Sequence, residues 1–312
     1  MPLTESQQRV HRLAWATLWM NIGVILWGAF VRATGSGAGC GEHWPECNGE
    51  VIPRSDSIET LIELTHRATS GLALLMVLAL LVMTRKAWPE GSPARAGATA
   101  SMILILIEAA IGAGLVIFGL TADDPRPERA WVVGAHLVNT LFLLAALCLT
   151  CWWTAGGSRL QSPHHPGLRR LLWACMAGVC VLAASGAVTA LGDTLFPSES
   201  LAEGLAQDRS ATAHLFIKLR IWHPALAIVT GVLCLVTAGN CRTALAGRPG
   251  IELWSFRLQG LIIAQILFGF LNLLMLAPVW AQIIHLLLAD LLWISLVFLF
   301  AEVRSFETVL EG

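Results

Sequence analysis

Residues 130–154 read AWVVGAHLVNTLFLLAALCLTCWWT, a mainly apolar run that contains no Asp, Glu, Lys or Arg. A helix needs about 20 mainly apolar residues to cross the hydrocarbon core of a bilayer. Because lipid offers no hydrogen bonds to the backbone, a single run of this length satisfies its own N–H and C=O groups only as a helix. The run therefore predicts a transmembrane helix that carries one histidine, His136.

Seven further apolar runs accompany this one. The 312-residue chain is 56% hydrophobic and 13% charged, whereas soluble domains are usually about 45–50% apolar and about 25% charged. We predict an all-α integral membrane protein whose first apolar run is a membrane helix rather than a cleaved signal peptide. The eight predicted spans are 14–34, 61–84, 97–120, 130–154, 168–192, 213–239, 253–277 and 279–303.

The charge distribution predicts the surroundings and the orientation of these helices. The net charge is −1 at pH 7, so no basic field favours nucleic acid, and we expect a lipid bilayer instead. Lys and Arg collect near the N-terminus and in alternate loops, while acidic residues collect in the other loops. The positive-inside rule then predicts a multi-pass protein of the cell (inner) membrane, with both termini in the cytoplasm.

The chain resembles two repeats of four helices. The segment GAFVRATG at residues 28–35, near the end of the first span, is echoed by GAVTALGD at residues 186–193, near the end of the fifth. The repeat predicts two pseudo-symmetric four-helix bundles, residues 1–155 and 156–312, related by an axis along the membrane normal. A chance match between two Gly/Ala/Val-rich strings is the alternative.

Four histidines inside the predicted spans carry the strongest functional signal. There is one on each even-numbered span, within about its first ten residues, so all four lie in the outer half of the bilayer. The offset between the halves is 157 residues for one pair and 149 for the other. Imidazole pairs from facing helices are a standard axial ligand set for heme iron; hydrogen bonds between helices and a non-heme metal are the alternatives. The four are His66, His136, His223 and His285.

Charged residues near the histidines distinguish the two halves. Glu63 lies three residues before His66, so both project from one helix face, and a carboxylate there could act as an acid, a base or a cation stabiliser. The corresponding residue of the second half is Arg220, which suggests that one half reacts and the other only holds its heme. A Glu that faces water at the interface is the alternative.

Basic side chains at the same end of the spans could pair with heme propionates, or they could extend to the interface. They are Arg32, Arg67, Lys218 and Arg220. Two carboxylates, Glu108 and Asp290, lie deeper within apolar spans. Each fits either a proton path or a hydrogen bond between helices.

The first outer loop contains two cysteines in the sequence GCGEHWPECNG. Their short spacing and their predicted position on the oxidising side of the membrane favour a disulfide between Cys40 and Cys47. The alternative is a metal site that also uses His43, but this set lacks a fourth ligand.

The run GAFVRATGSGAGCGEHWPECNGEVIP, followed by IELTHRATSG, closely resembles the heme A synthase family. The resemblance covers the whole chain, with eight helices in two halves and four histidines, and its motif is most specific in the first half. It implies stepwise oxidation of one porphyrin methyl of heme O, by two hydroxylations, to a hydrated aldehyde that loses water to give the formyl group of heme A.

The same resemblance implies a role for individual residues. Heme O would enter the first half near His66 and His136, and a heme b cofactor would lie between His223 and His285 of the second half. Glu63 matches the catalytic acid of the family's ExxHR motif, and the two loop cysteines match its outer-loop pair. Heme O synthase and terminal oxidase assembly are the implied partners, and the sequence is compatible with a homo-oligomer.

The second half departs from the first at one ligand. His223 is followed by Pro224, whereas His66 is followed by Arg67. Because proline removes an intrahelical hydrogen bond and disfavours the α conformation of the preceding residue, we expect His223 at a kink or at a helix start.

Two other functions would also explain the four histidines. One is a non-catalytic diheme b-type cytochrome that transfers electrons in the membrane, and the other is a heme carrier without redox activity. The cytochrome does not explain Glu63 or the asymmetry between the halves.

Overall fold

The computed structural model describes residues 2–54, 57–122, 124–160 and 165–305. These residues form ten α-helices and a short 3-10 helix, Ser36–Ala38, and no strand occurs within the described ranges. In chain order the helices are α1 Glu5–Ala33, α2 Ile58–Ala87, α3 Pro93–Ile117, α4 Pro127–Thr154, α5 Pro166–Leu195, α6 Leu201–Arg209, α7 Leu215–Arg220, α8 Trp222–Ala244, α9 Pro249–Leu274 and α10 Val279–Arg304.

The long helices begin at residue types that favour helix starts. The hydroxyl groups of Thr4, Ser57 and Ser92 accept backbone N–H groups in the first turns of α1, α2 and α3, which satisfies donors that have no partner within the helix. Proline is the first residue of α3, α4, α5 and α9, a position where its missing N–H removes no helical hydrogen bond.

Eight segments are long and apolar enough to cross a membrane. They are α1 to α5, α9, α10 and the combined segment Leu215–Ala244, which contains α7 and α8. Many Leu, Ile, Val and Phe side chains on these helices are exposed in the isolated chain, as expected for surfaces that face lipid. The prediction of eight membrane helices is confirmed, and the chain is a multi-pass membrane protein.

The sixth span differs from the continuous helix predicted over residues 213–239. It is divided at Ile221 into α7 and α8, and His223 is the second residue of α8. The physical cause is Pro224, which has no N–H to donate to the carbonyl group of Arg220 four residues earlier. The prediction that His223 lies at a kink or a helix start is therefore confirmed.

The short helix α6 was not predicted. It has nine residues, and Ser200 accepts a hydrogen bond from the backbone N–H of Glu203 at its start. None of its residues is buried, so it lies on the surface of the loop between α5 and α7.

The first four long helices pack as a ring, in which α1 contacts α2 and α4, and α3 contacts the same two helices. Helices α5, α8, α9 and α10 pack in the same order in the second half. Helices α4 and α10 lie against each other at the centre. In the most apolar 18 residues of each helix, 50% of α4 and 56% of α10 are buried, compared with 11% of α9. The indole Nε1–H of Trp293 on α10 donates to the carbonyl oxygen of Leu141 on α4 at 2.7 Å.

We expect Trp293→Phe to lower the free energy of unfolding by about 1–3 kcal/mol, because it removes this buried hydrogen bond and part of a fully buried ring. Thermal unfolding of the purified protein in detergent measures the change. Trp131→Phe is the matched control, since Trp131 is 77% exposed and its replacement should leave the midpoint almost unchanged. Equal effects of the two variants would contradict a special role for Trp293 at the centre.

Candidate functional site

The four predicted histidines lie at one end of the helical bundle. His66 is near the start of α2, His136 near the start of α4, His223 at the start of α8 and His285 near the start of α10. The loop that joins α1 to α2 lies at the same end, which we call the disulfide end because this loop contains Cys40 and Cys47 joined by a disulfide. The structure thus places at one end of the bundle four histidines that the sequence spreads over 220 positions.

Each histidine ring packs against a glycine of the preceding long helix. Three of the four contacts are so close that a Cβ on the glycine would require the ring to shift, and the fourth leaves ordinary van der Waals contact. The pairs are Gly28 with His66, Gly112 with His136, Gly186 with His223 and Gly269 with His285, with distances from an ideal Cβ to Cε1 of 2.9, 3.9, 3.0 and 3.0 Å. The repeated segments GAFVRATG and GAVTALGD each begin with one of these glycines, which gives their similarity a physical reason.

The histidines form one pair in each half. His66 lies within electrostatic range of His136, and His285 lies within range of His223. The buried Nδ1 atoms of His66, His136 and His285 have no hydrogen-bond partner among the described residues. A buried polar atom of this kind normally has a partner, so these rings are suited to a ligand between the helices.

The carboxylate of Glu63 is directed to the disulfide loop. It is nearly fully buried, accepts the backbone N–H of Cys40 at 2.8 Å and pairs with Arg67 at 2.6 Å. Arg67 also donates to the carbonyl oxygens of His43 and Glu46, at 2.6 and 2.5 Å. The sequence places Glu63 on the helix face of His66 and leaves Arg67 either propionates or the interface as its surroundings; in the structure both side chains contact this loop.

The disulfide loop is held tightly on the first turn of α2. A Cβ at Gly39 would lie 2.5 Å from the carbonyl carbon and oxygen of Glu59, so only glycine fits there. The hydroxyl group of Thr60 donates to the carbonyl oxygen of Gly39 at 2.6 Å. Because Cys40 and Cys47 are bonded to each other, neither is a free thiolate for the alternative metal site with His43.

Arg32 joins the two halves of the molecule near the histidines. Its guanidinium group, on α1, donates to the carbonyl oxygen of Ala190 at 2.9 Å, to Thr194 Oγ1 at 2.8 Å and to Gln282 Oε1 at 2.6 Å. All three acceptors belong to α5 or α10. Arg220, the counterpart of Glu63, pairs with Asp193 at 3.3 Å and with Asp208 at 2.6 Å.

Glu108 forms a polar cluster with α4. One carboxylate oxygen lies 3.1 Å from Nδ1 of His136 and accepts the hydroxyl group of Thr140, and the other accepts Asn139 Nδ2 at 2.5 Å. The sequence left the role of Glu108 open. The signal that could have found the cluster is the spacing of His136, Asn139 and Thr140, which share one helix face.

The second buried carboxylate has different surroundings. Asp290 on α10 is 1% exposed, and neither of its carboxylate oxygens has a hydrogen-bond partner among the described residues. It therefore does not form the hydrogen bond between helices that was one of its two predicted roles.

Residues 11–297 match the family model named COX15-CtaA, described as cytochrome oxidase assembly protein. The chain belongs to the COX15-CtaA family. This match covers both halves and confirms, at the level of the family, the membership that the first-half motif predicted.

Individual relatives of this COX15-CtaA protein match it over different lengths. A Thermus thermophilus protein named protoheme IX farnesyltransferase is 48% identical over 296 residues, which are 95% of this chain and 48% of that protein. Heme A synthases of Alkalihalophilus pseudofirmus and Bacillus mycoides are 47% and 43% identical over 126 and 129 residues; these regions are 40% and 41% of this chain and 40% and 39% of the relatives. The chain spans about half the length, or less, of the curated relatives it matches.

We expect labelling of the denatured protein with a thiol reagent to modify six cysteines before reduction and eight after it, since six are free and two are paired. The free energy of unfolding of the double variant Cys40→Ser/Cys47→Ser should be about 2–3 kcal/mol lower, because an eight-residue loop is no longer closed. Mass spectrometry counts the labels, and the double variant should give six labels in both conditions. Eight labels on the unreduced wild type would contradict the disulfide.

Proposed function

We propose that this COX15-CtaA protein is a heme A synthase, an oxidoreductase that converts heme O to heme A by oxidising a porphyrin methyl to a formyl group. The observation that carries the proposal is the arrangement of two histidine pairs, one in each four-helix half, at the same end of the bundle. The names of the bacterial relatives that match about two fifths of the chain support it.

The histidine pairs suit heme iron in chemistry and in surroundings. Paired imidazoles from facing helices are an established axial ligand set, and the glycines behind the rings leave room for them close to the neighbouring helix. In this proposal His66 and His136 of residues 1–155 hold the substrate heme O, and His223 and His285 of residues 156–312 hold heme b. When bound, heme b supplies a one-electron redox centre.

The distribution of carboxylates supports assigning the reaction to the first half. Oxidation of a methyl group to a formyl group removes four electrons from the carbon and releases protons, which a nearby carboxylate can accept. The first half has Glu63 three residues before His66 and Glu108 at 3.1 Å from His136, whereas the second half has Arg220 and Gln265 at the corresponding positions. A site without these carboxylates is suited to holding a cofactor.

Glu63 has two roles in the proposed enzyme. As the catalytic carboxylate it stabilises positive charge and accepts protons at the oxidised carbon. Through the N–H of Cys40 and through Arg67, which binds two loop carbonyl groups, it also orients the disulfide loop. Arg67 and Arg32 remain the proposed partners of the propionates of heme O, since both lie at the disulfide end.

The surroundings and partners of the enzyme follow from the same proposal. The orientation inferred from Lys and Arg places the protein in the cell (inner) membrane, with cytoplasmic termini and with the disulfide end at the outer face. The Thermus thermophilus relative is about twice as long as the aligned region and is named for farnesyl transfer to protoheme IX. We therefore propose a heme O synthase as the supplier of the substrate and the assembly of a terminal oxidase as the destination of the product.

Farnesyl transfer itself is not assigned to this chain. The aligned region is 48% of the Thermus thermophilus protein, so the other half of that protein is available for the activity in its name. A diheme cytochrome or a heme carrier explains the histidine pairs equally well. Co-expression with a heme O synthase separates these functions, because only the proposed enzyme yields heme A in the extracted hemes.

We expect His223→Ala and His285→Ala to abolish retention of heme b, whereas His66→Ala and His136→Ala should spare it and prevent turnover of heme O. A cofactor site must retain its heme, while a substrate site must release its product. Absorption spectra and chromatography of extracted hemes measure both quantities. His11→Ala is the control, since His11 bonds Thr154 at the opposite end of α4; equal loss of heme b from all four site variants would overturn the assignment.

Replacement of Glu63 by Gln should lower heme A formation by about 10²–10⁴-fold, because the amide neither accepts protons nor stabilises positive charge. Heme b content should stay near that of the wild type. The variant Cys40→Ser/Cys47→Ser is the control for loop orientation, since it loosens the loop but keeps the carboxylate, and it should retain more activity than Glu63→Gln. Near-normal heme A formation by Glu63→Gln would contradict the catalytic role of Glu63 and leave it only the role of orienting the disulfide loop.

A further inference from the structure

Glu108 is a carboxylate in the middle of a membrane-spanning helix, α3. Ionisable residues at such positions are costly and usually serve a function. Its Oε1 atom lies 3.1 Å from Nδ1 of His136, within ion-pair distance but without forming a hydrogen bond, and the two side chains are 20% and 28% exposed. The contact therefore joins α3 directly to a histidine of the first pair.

The orientation of this carboxylate is fixed by two neighbours of the histidine. Asn139 Nδ2 donates to Oε2 at 2.5 Å, and the hydroxyl group of Thr140 donates to Oε1. Asn139 and Thr140 follow His136 by three and four residues, so all three side chains lie on the face of α4 that is directed to α3. One helix thus supplies the histidine and both groups that orient its acidic neighbour.

The equivalent cluster of the second half is neutral and largely apolar. The position of Glu108 is taken by Gln265, whose Nε2 lies 3.3 Å from Nε2 of His285. The positions of the two donors are taken by Leu288 and Ala289, at the same offset of 149 residues that relates the two histidines. The two halves therefore share the glycine behind the ring but differ in the charge beside it.

We propose that Glu108 is a positioning residue for heme binding in the first half, acting through His136. The inference rests on the proposed function, in which His136 is a ligand of heme iron. The charge of a carboxylate 3.1 Å from Nδ1 would leave Nε2 for the iron and would make the imidazole a more basic ligand. Gln265 carries no charge and lies against Nε2 of His285 rather than Nδ1, so the iron of the first half would be held by the more electron-rich ligand and would favour its oxidised state.

This arrangement suits the division of labour between the two sites. A substrate that loses electrons is favoured by a ligand that stabilises the oxidised iron. A resident heme that would pass those electrons one at a time to an external one-electron acceptor is favoured by a more neutral ligand. In this proposal the pair Glu108 and Gln265 would favour electron flow from the first site to the second.

The test uses the full-length protein in detergent, purified with its resident heme and titrated with hemin as the probe of the first site. Glu108→Gln should weaken hemin binding by about 10- to 100-fold and raise the midpoint potential of the added heme. It should also change the low-spin electron paramagnetic resonance signal of that heme. A purely structural bond between α3 and α4 would leave the potential and the signal of bound hemin unchanged.

Gln265→Glu is the reciprocal variant and leaves the first half untouched. It should lower the midpoint potential of the resident heme while the affinity for added hemin stays at the wild-type value. The variant Asn139→Leu/Thr140→Ala keeps the carboxylate but removes its donors, and it should weaken hemin binding in the same direction as Glu108→Gln. If Glu108→Gln fails to fold, the midpoint potential of Gln265→Glu and the hemin affinity of Asn139→Leu/Thr140→Ala test the role of Glu108. Wild-type values for both variants would overturn that role.

The outcomes separate this inference from the function on which it rests. Hemin binding with the same affinity and midpoint potential in wild type and Glu108→Gln would overturn the role of Glu108 alone. A wild type that binds no hemin beyond its resident heme, or whose binding is unaffected by His136→Ala, would overturn the two-heme assignment and the role of Glu108 with it.

Discussion

The close approach of a histidine ring to a neighbouring helix backbone is the contact on which the site depends. At Gly28, Gly186 and Gly269 a Cβ would lie 2.9–3.0 Å from an imidazole carbon, closer than nine in ten real Cβ contacts. The absence of a side chain lets α1, α5 and α9 pack directly over the rings. Ring position is therefore set by rigid helices on both sides, which is the support that a functional site needs.

Much of the fold could be predicted from the sequence because the bilayer imposes one local rule, an apolar run long enough to span it. That rule identified the eight spans and the position of each of the four histidines within its span. The break at Ile221 could also be foreseen, since Pro224 acts on the carbonyl group four residues before it. Helix α6 was missed because nine residues carry no span signal, although Ser200 and Glu203 have the spacing of a helix start.

The contacts of the charged side chains could not be predicted in the same way. Helix periodicity places Glu63 on the same face as His66. Its carboxylate, however, accepts a hydrogen bond from the N–H of Cys40, in a loop that folds back over α2. Arg32 and its acceptors are more than 150 residues apart in the chain. Such partners depend on how helices and loops meet in three dimensions, and no local pattern records that.

The bridge from Arg32 to α5 and α10 has a mechanical consequence. Together with the bond between Trp293 and Leu141, it joins the two halves at two heights and so opposes their rocking apart as separate bodies. Electron tunnelling slows steeply as the gap between donor and acceptor widens. Under the proposed function, this bracing would keep the gap between the two histidine pairs constant, and Arg32 would act as a spacer between the two proposed heme sites.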